Sequence, residues 1–235
     1  MKTVYWSPFF PHDKYAAVQL MYETPDSLLQ DMLPRRNKKT NGDNFFGCHS
    51  FLASIKNTFI LRLPYEVSFA LDKEIGIIPI DADPENMQYV AFKQPSVIDA
   101  HTFVVRGNWI FWSEESLIMT SMPAHYHRPV IDGYYVGGSM DIGKWFRPIE
   151  GAIQLHENVN TVLIKRNDPI FYVKFETDEP IQLKRFYMTP EIEQIAWGCI
   201  YYKRYERSKA LNYLYAKFKE RKLDKRLGYL IKENS

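Results

Sequence analysis

Two histidines stand two residues apart in Pro123-Ala124-His125-Tyr126-His127-Arg128-Pro129. On a β-strand, positions two apart face the same way, so His125 and His127 would present their imidazoles together. Neutral imidazole is a common ligand of divalent transition metals, and two of them with a third donor and open positions suit iron-dependent oxygen chemistry. The competing use is structural: a loop in which both rings hydrogen-bond or stack, anchored by Tyr126. The prolines at 123 and 129 favour that loop, because proline interrupts a strand ladder.

Other chemistries find less support. No Gly-x-Ser-x-Gly occurs, and Cys48 and His49 are chain neighbours, which is not how an imidazole activates a thiol. Cys48 is expected to be a small buried residue. Gly137-Gly138-Ser139 is expected to be a short turn, without the Lys-Ser/Thr of a phosphate-binding loop. Tyr201, Tyr202, Tyr205, Tyr213 and Tyr215 interleave with Lys203, Arg204 and Arg207, a pattern that stacks on nucleic-acid bases when exposed and fills a core when buried.

The elements that must position these residues follow from periodicity. Pro25-Asp26-Ser27 leads into Leu28, Leu29, Met32 and Leu33 at helical spacing, ended by Pro34. The polar, basic stretch from Arg35 to Asn44 predicts an exposed loop. From Phe51 to Tyr187 short runs rich in Val, Ile, Phe, Tyr and Trp alternate with Pro or Gly, the pattern of many strands. Val67, Phe69 and Leu71 alternate with Glu66, Ser68 and Ala70, and Phe171, Val173 and Phe175 with Tyr172 and Lys174, so one face of each should be buried. Arg106-Gly107-Asn108 and Asn167-Asp168-Pro169 read as hairpin turns. At Thr189-Pro190-Glu191 a cap, a first-turn proline and an acid open a long helix with stripes Ile192, Ile195, Ala196, Cys199 and Leu211, Leu214, Tyr215, Phe218.

The predicted fold is mainly β, a β-rich α+β chain: an antiparallel jelly-roll or cupin-like sandwich with a short N-terminal helix and a long C-terminal helix packed on it. It is read as a single domain over 1–235, comprising an N-terminal element and loop (1–50), a β core (51–188) and a C-terminal helical segment (189–235). The 235 residues, 46% apolar and 25% charged, allow a sizeable core without disulfides or structural metal. Only two cysteines occur, the opening residues lack the apolar stretch of a secretory signal, and the longest uncharged apolar run, near Ile195 to Tyr202, is too short for a bilayer. A soluble protein of a reducing cytoplasm, with no membrane partner, is the expectation. The net charge of +2 conceals an asymmetry: between Lys203 and Lys232 eleven Lys or Arg face three acids, a balance of +8 that leaves −6 for the rest. Such a tail is a solvated helix face or a footprint for an acidic partner or nucleic acid.

Two resemblances add to this reading. His125-x-His127 followed by Asp132, then Gly143, Pro148, Gly151, His156 and Asn160, resembles the cupin pattern of His-x-His, an acid, a Gly-Pro-Gly turn and a later His. That resemblance implies His125, His127, Asp132 and His156 as ligands of a divalent metal, iron or manganese, in an oxygenase or isomerase. Separately, Phe46-Gly47-Cys48-His49-Ser50-Phe51 with Lys56 to Pro64, Met122 to Pro129, Asp141-Ile142-Gly143-Lys144-Trp145-Phe146-Arg147-Pro148, and Ile164 to Phe175 resemble successive blocks of uncharacterised proteins of tailed, T4-like phages of marine bacteria and cyanobacteria. This second likeness spans roughly residues 45 to 190 and is similar in outline to a bacterial family of unknown function. It implies a phage protein in the host cytoplasm or on the virion. The expected function is a phage accessory or assembly protein acting as an interaction module without a cofactor. It would bind a phage or host protein or assemble with itself, with nucleic acid as a lesser candidate. Its expected surfaces are the loop at Arg35 to Asn44, Trp145-Phe146-Arg147, and the basic helix with Arg204 and Arg207, since Trp and Arg are enriched where interfaces bind tightly. The metal-dependent enzyme is the alternative.

Overall fold

A computed structural model describes residues 1–9, 20–35, 45–72, 76–80, 90–91, 102–128 and 131–235. The expected loop at Arg35 to Asn44 falls, beyond Arg35, outside the described residues.

Two sheets form the centre. The first has six strands among the described residues: β1 (Lys2–Pro8), β6 (Val90–Ala91), β7 (Thr102–Trp112), β9 (Gly133–Val136), β11 (Pro148–Leu155) and β14 (Ile181–Arg185). They lie in the order β14-β1-β7-β11-β9, with β6 also on β7. The second is β10 (Gly138–Asp141), β8 (Ile118–Pro123), β13 (Pro169–Phe175), β3 (Thr58–Arg62) and β2 (Asp26–Ser27), in that spatial order. A third, small sheet joins β12 (Thr161–Ile164), β4 (Val67–Asp72) and β5 (Gly76–Pro79). Among the described residues pairing is antiparallel except that β1 runs parallel to β14.

The sheets face each other across one apolar core. Val4, Trp6, Phe103, Trp109 and Phe111 from the first sheet meet Phe59, Leu61, Phe171, Val173 and Phe175 from the second, and Val67, Phe69, Val162 and Ile164 of the third sheet join the same cluster. The intervening residues are not wet. Tyr5, Ile110 and Trp112 on the reverse of the first sheet pack under C-terminal helices, while Ile60 and Tyr172 on the reverse of the second pack under α1 (Leu28–Met32) and α2 (His49–Ile55). The molecule is therefore layered helix, sheet, sheet, helix. This is why Trp109-Ile110-Phe111-Trp112 reads as a continuous apolar run: both faces of a central strand are covered. Val67 and Phe69, in the small sheet, alternate with half-buried Ser68 and Ala70.

Several expectations are corrected by particular residues. Arg106-Gly107-Asn108 is no hairpin: β7 runs through it, and the register with β11 slips between Pro148 and Glu150. Asn108 takes φ 50°, a left-handed backbone that Asn tolerates, and the resulting bulge points its buried amide at Tyr65 Oη, 3.2 Å away. Asn167-Asp168 does turn the chain, with Asn167 at φ 66°, but it carries β12 of the third sheet into β13 of the second. Cys48 is exposed, at the N-cap of α2. The expected long C-terminal helix is three: α3 (Pro190–Tyr205), α4 (Leu211–Glu220) and α5 (Leu223–Glu233). Thr189 caps α3 as its sequence predicts, accepting from Ile192 N. Lys222, at φ 56°, breaks the run between α4 and α5.

Asn108→Ala should destabilise the protein by about 2–3 kcal/mol, from the left-handed backbone and the lost bond to Tyr65. Asn108→Gly keeps the backbone and loses only the bond, so its denaturant midpoint should fall clearly less; equal losses would refute the backbone part.

Candidate functional site

The four implied metal ligands are not gathered into one set. β8 ends at Pro123, and residues 124–128 turn rather than continue the strand. His125 is exposed and donates from Nδ1 to the Pro123 carbonyl at 2.9 Å. His127 is held at both nitrogens: Nδ1 lies 2.6 Å from Tyr172 Oη and Nε2 3.0 Å from Asp31 Oδ2. Since a carboxylate only accepts, Nε2–H donates to Asp31, which leaves Nδ1 to share the second hydrogen bond with the Tyr172 hydroxyl. Asp31 also receives Arg62 Nη2 at 2.8 Å, and Tyr172 Oη accepts from the Tyr126 amide at 3.2 Å. His127 therefore pins the turn after β8 to α1, β3 and β13. His156 belongs elsewhere, with Nδ1 2.7 Å from Asp132 Oδ1 and its ring edge-on to Tyr134. Among the described residues no group of three or more His, Cys, Asp or Glu side chains is placed to hold a metal ion. The residues implied by the cupin likeness thus do not fit a shared metal.

Trp145-Phe146-Arg147 is not an exposed surface either. Trp145 is 2% exposed and Phe146 0%, packed between the first sheet and the helices. Their apolar area is used to seat the helical layer, and only Arg147 is half-buried. The turn that delivers them is fixed by Asp141, itself 1% exposed. Its carboxylate accepts from Ser116 Oγ at 2.5 Å, the Leu117 amide at 3.0 Å, the Gly143 amide at 3.0 Å and Lys144 Nζ at 2.8 Å. The Asp141 amide in turn reaches Tyr215 Oη of α4 at 2.9 Å. Gly143 is required there, because a Cβ would stand 2.0 Å from the Glu115 carbonyl oxygen.

The candidate site is the cleft this packing leaves open among α3, α4 and α5. It measures about 470 Å³, within the range of pockets that take drug-sized ligands. Ile195, Phe218, Leu223 and buried Trp145 supply apolar walls, and Tyr201, Tyr202, Tyr205, Lys217, Arg221 and Arg226 also line it. Helical spacing accounts for its make-up. Ile195 and Cys199 lie one turn apart on the buried stripe of α3, and Gly198, Tyr201, Tyr202 and Tyr205 follow on the adjoining face. Burial pushes the Cys199 thiol up to about 12, so this cysteine is an inert wall and no nucleophile at neutral pH.

Charge in the cleft is partly compensated. Arg226 pairs with Glu191, and Lys217 with Glu220 at 2.6 Å, a contact that raises the lysine pKa. Arg221 lies with its guanidinium carbon 5.1 Å from the centre of the Tyr202 ring. Among the described residues it has no carboxylate within ion-pair distance. Arg204 is exposed and stacks on Tyr201 at 5.7 Å; Arg207 is exposed just beyond the end of α3.

Sequence reasoning named the tyrosines and Arg204 but missed Lys217, Arg221 and Arg226 as cleft residues, and Asp31, Arg62 and Tyr172 as partners of His127. Arg62 carried a signal, as a charge ending the apolar run Thr58 to Leu61. Among the described residues no helix is long and apolar enough to cross a membrane. No protein-family model matches the chain, and no curated protein does.

Proposed function

We propose that the chain is an interaction module, of the accessory or assembly kind suggested by its likeness to tailed-phage proteins, and that it takes a segment of a partner protein into the C-terminal cleft. The observation that carries this reading is the cleft itself: an open, tyrosine-lined and arginine-lined cavity in a layer whose buried faces are otherwise closed against the sheet. Tyrosine and arginine dominate binding surfaces because they combine apolar area, stacking and directed hydrogen bonds at low entropic cost. Tyr205, 89% exposed at the cleft's edge, has the large solvent-facing area that a partner would cover.

Gly198 gives the test. It lines the cleft, and a Cβ added there meets no atom within 4 Å, so a bulky side chain enters open space rather than the core. Peptides of about a dozen residues, selected by display on the intact protein, should bind the native chain and fail to bind Gly198→Trp, whose circular dichroism and melting should match or exceed the parent's. Helix propensity favours that outcome, since any residue but proline suits a helix interior better than glycine. Recovery of no binding peptide, or only of peptides indifferent to Gly198→Trp, would refute the reading. Gly228 in α5 also has open space around a Cβ and does not line the cleft, so Gly228→Trp should leave peptide binding unchanged.

A further inference from the structure

Resting on that reading, we infer that the cleft's occupant is an acidic segment bearing one bulky apolar or aromatic side chain, the apolar group entering between α3 and α4 and a flanking carboxylate meeting Arg221. Two observations converge. The walls formed by Ile195, Phe218 and Trp145 are apolar and the cavity, at about 470 Å³, is of a size to take one large side chain with its adjoining backbone.

The charge balance selects the flanking group. Of the three cations lining the cleft, Arg226 is committed to Glu191 and Lys217 to Glu220. Arg221 is the one with no carboxylate in reach among the described residues. Its guanidinium lies over the Tyr202 ring, 5.1 Å from the centre, and an arginine fork can meet a carboxylate through two parallel hydrogen bonds. The surrounding helices carry the +8 balance of residues 203–232, which favours the approach of an anionic partner and repels a basic one. A single guanidinium with no ion-pair partner among the described residues, beside an apolar cavity, matches one carboxylate next to one apolar anchor. Single-stranded nucleic acid would ask for a groove in which several cations track successive phosphates, and two of the three cations lining this cleft are already paired.

The peptides selected above provide the test. Those that Gly198→Trp abolishes should be enriched in Asp and Glu beside Trp, Phe, Leu or Met. Their affinity, measured by fluorescence anisotropy with labelled copies, should fall about tenfold or more in Arg221→Glu and by a similar factor when the anchor is changed to Ala. It should also weaken as salt is raised. Circular dichroism of Arg221→Glu guards against loss of fold, which is not expected at an exposed helix end. Cleft-dependent peptides with neutral or basic composition, or acidic ones indifferent to Arg221→Glu, would overturn this inference while leaving the interaction module in place. Displacement of the peptides by a twenty-nucleotide oligothymidylate binding more tightly than they do would overturn it in favour of nucleic acid. Concentration-dependent self-association abolished by Gly198→Trp would overturn it in favour of a second copy of the chain.

Discussion

Asp141→Ala is expected to destabilise the protein by about 3 kcal/mol or more, because it strands the buried Leu117 amide and the Gly143 amide and removes two side-chain donors' common acceptor. Lys144 contributes little to that figure, since it is half exposed. The same group gives the protein a definite acid response. Burial raises the Asp141 pKa, but the hydrogen bonds from Lys144, Ser116, Leu117 and Gly143 outweigh it and hold the folded value below the ordinary 3.8. A carboxyl depressed in the folded state stabilises the protein fully above its unfolded value, and that contribution is lost as pH falls through the folded one. Urea unfolding from neutral pH down to acid should therefore show a stability loss below about pH 4 that is shallower in Asp141→Asn. A loss under about 1 kcal/mol for the alanine variant, or an unchanged acid limb for the asparagine variant, would show that the carboxylate does not hold this turn.

Trp112→Ala should be comparably severe, at about 3–5 kcal/mol. Trp112 is 1% exposed on the outer face of β7, with ring centroids 6.2 Å from Phe146 and 6.1 Å from Phe218. It is the point where the first sheet, the turn after β10 and α4 meet. Because the helical layer shares this apolar cluster with the sheet, the chain should unfold in one transition, reported alike by far-ultraviolet dichroism and tryptophan fluorescence. The variant should keep a single, lower transition. Helices that melt apart from the sandwich in the parent protein, or a variant loss below about 1 kcal/mol, would separate the two layers energetically.

Local signals made much of this fold legible. The cap and proline at Thr189-Pro190, the alternation in β4 and the apolar runs of β7 and β13 each depend on near neighbours, and each element stands where its residues predict. What failed depended on distant partners. Arg106-Gly107-Asn108 has turn composition, but pairing with β1 and β11 on either side keeps the chain extended and converts the irregularity to a bulge. The histidine pair has a metal-site spacing only if a strand continues past Pro123, and the chain turns there instead. His127 is then claimed by Asp31, 96 positions away along the chain, and by Tyr172, 45 away, which no short motif reports. The cleft was half visible: the tyrosines of α3 were conspicuous, whereas Arg221 gains its meaning only when the fold brings the end of α4 to Tyr202 of α3.

The parallel pairing of β1 with β14 has a consequence for biosynthesis. β1 is made before both of its partners, can add β7 along one side once residue 112 is made, and waits for residues 181–185 on the other. Through that interval the strand carrying Val4 and Trp6 offers an open hydrogen-bonding edge to any neighbouring nascent chain. The late arrival of Ile181–Arg185 moves the edge of the sheet from the apolar β1 to a strand that carries exposed Gln182 and Lys184, and a lysine on an edge discourages pairing with another chain.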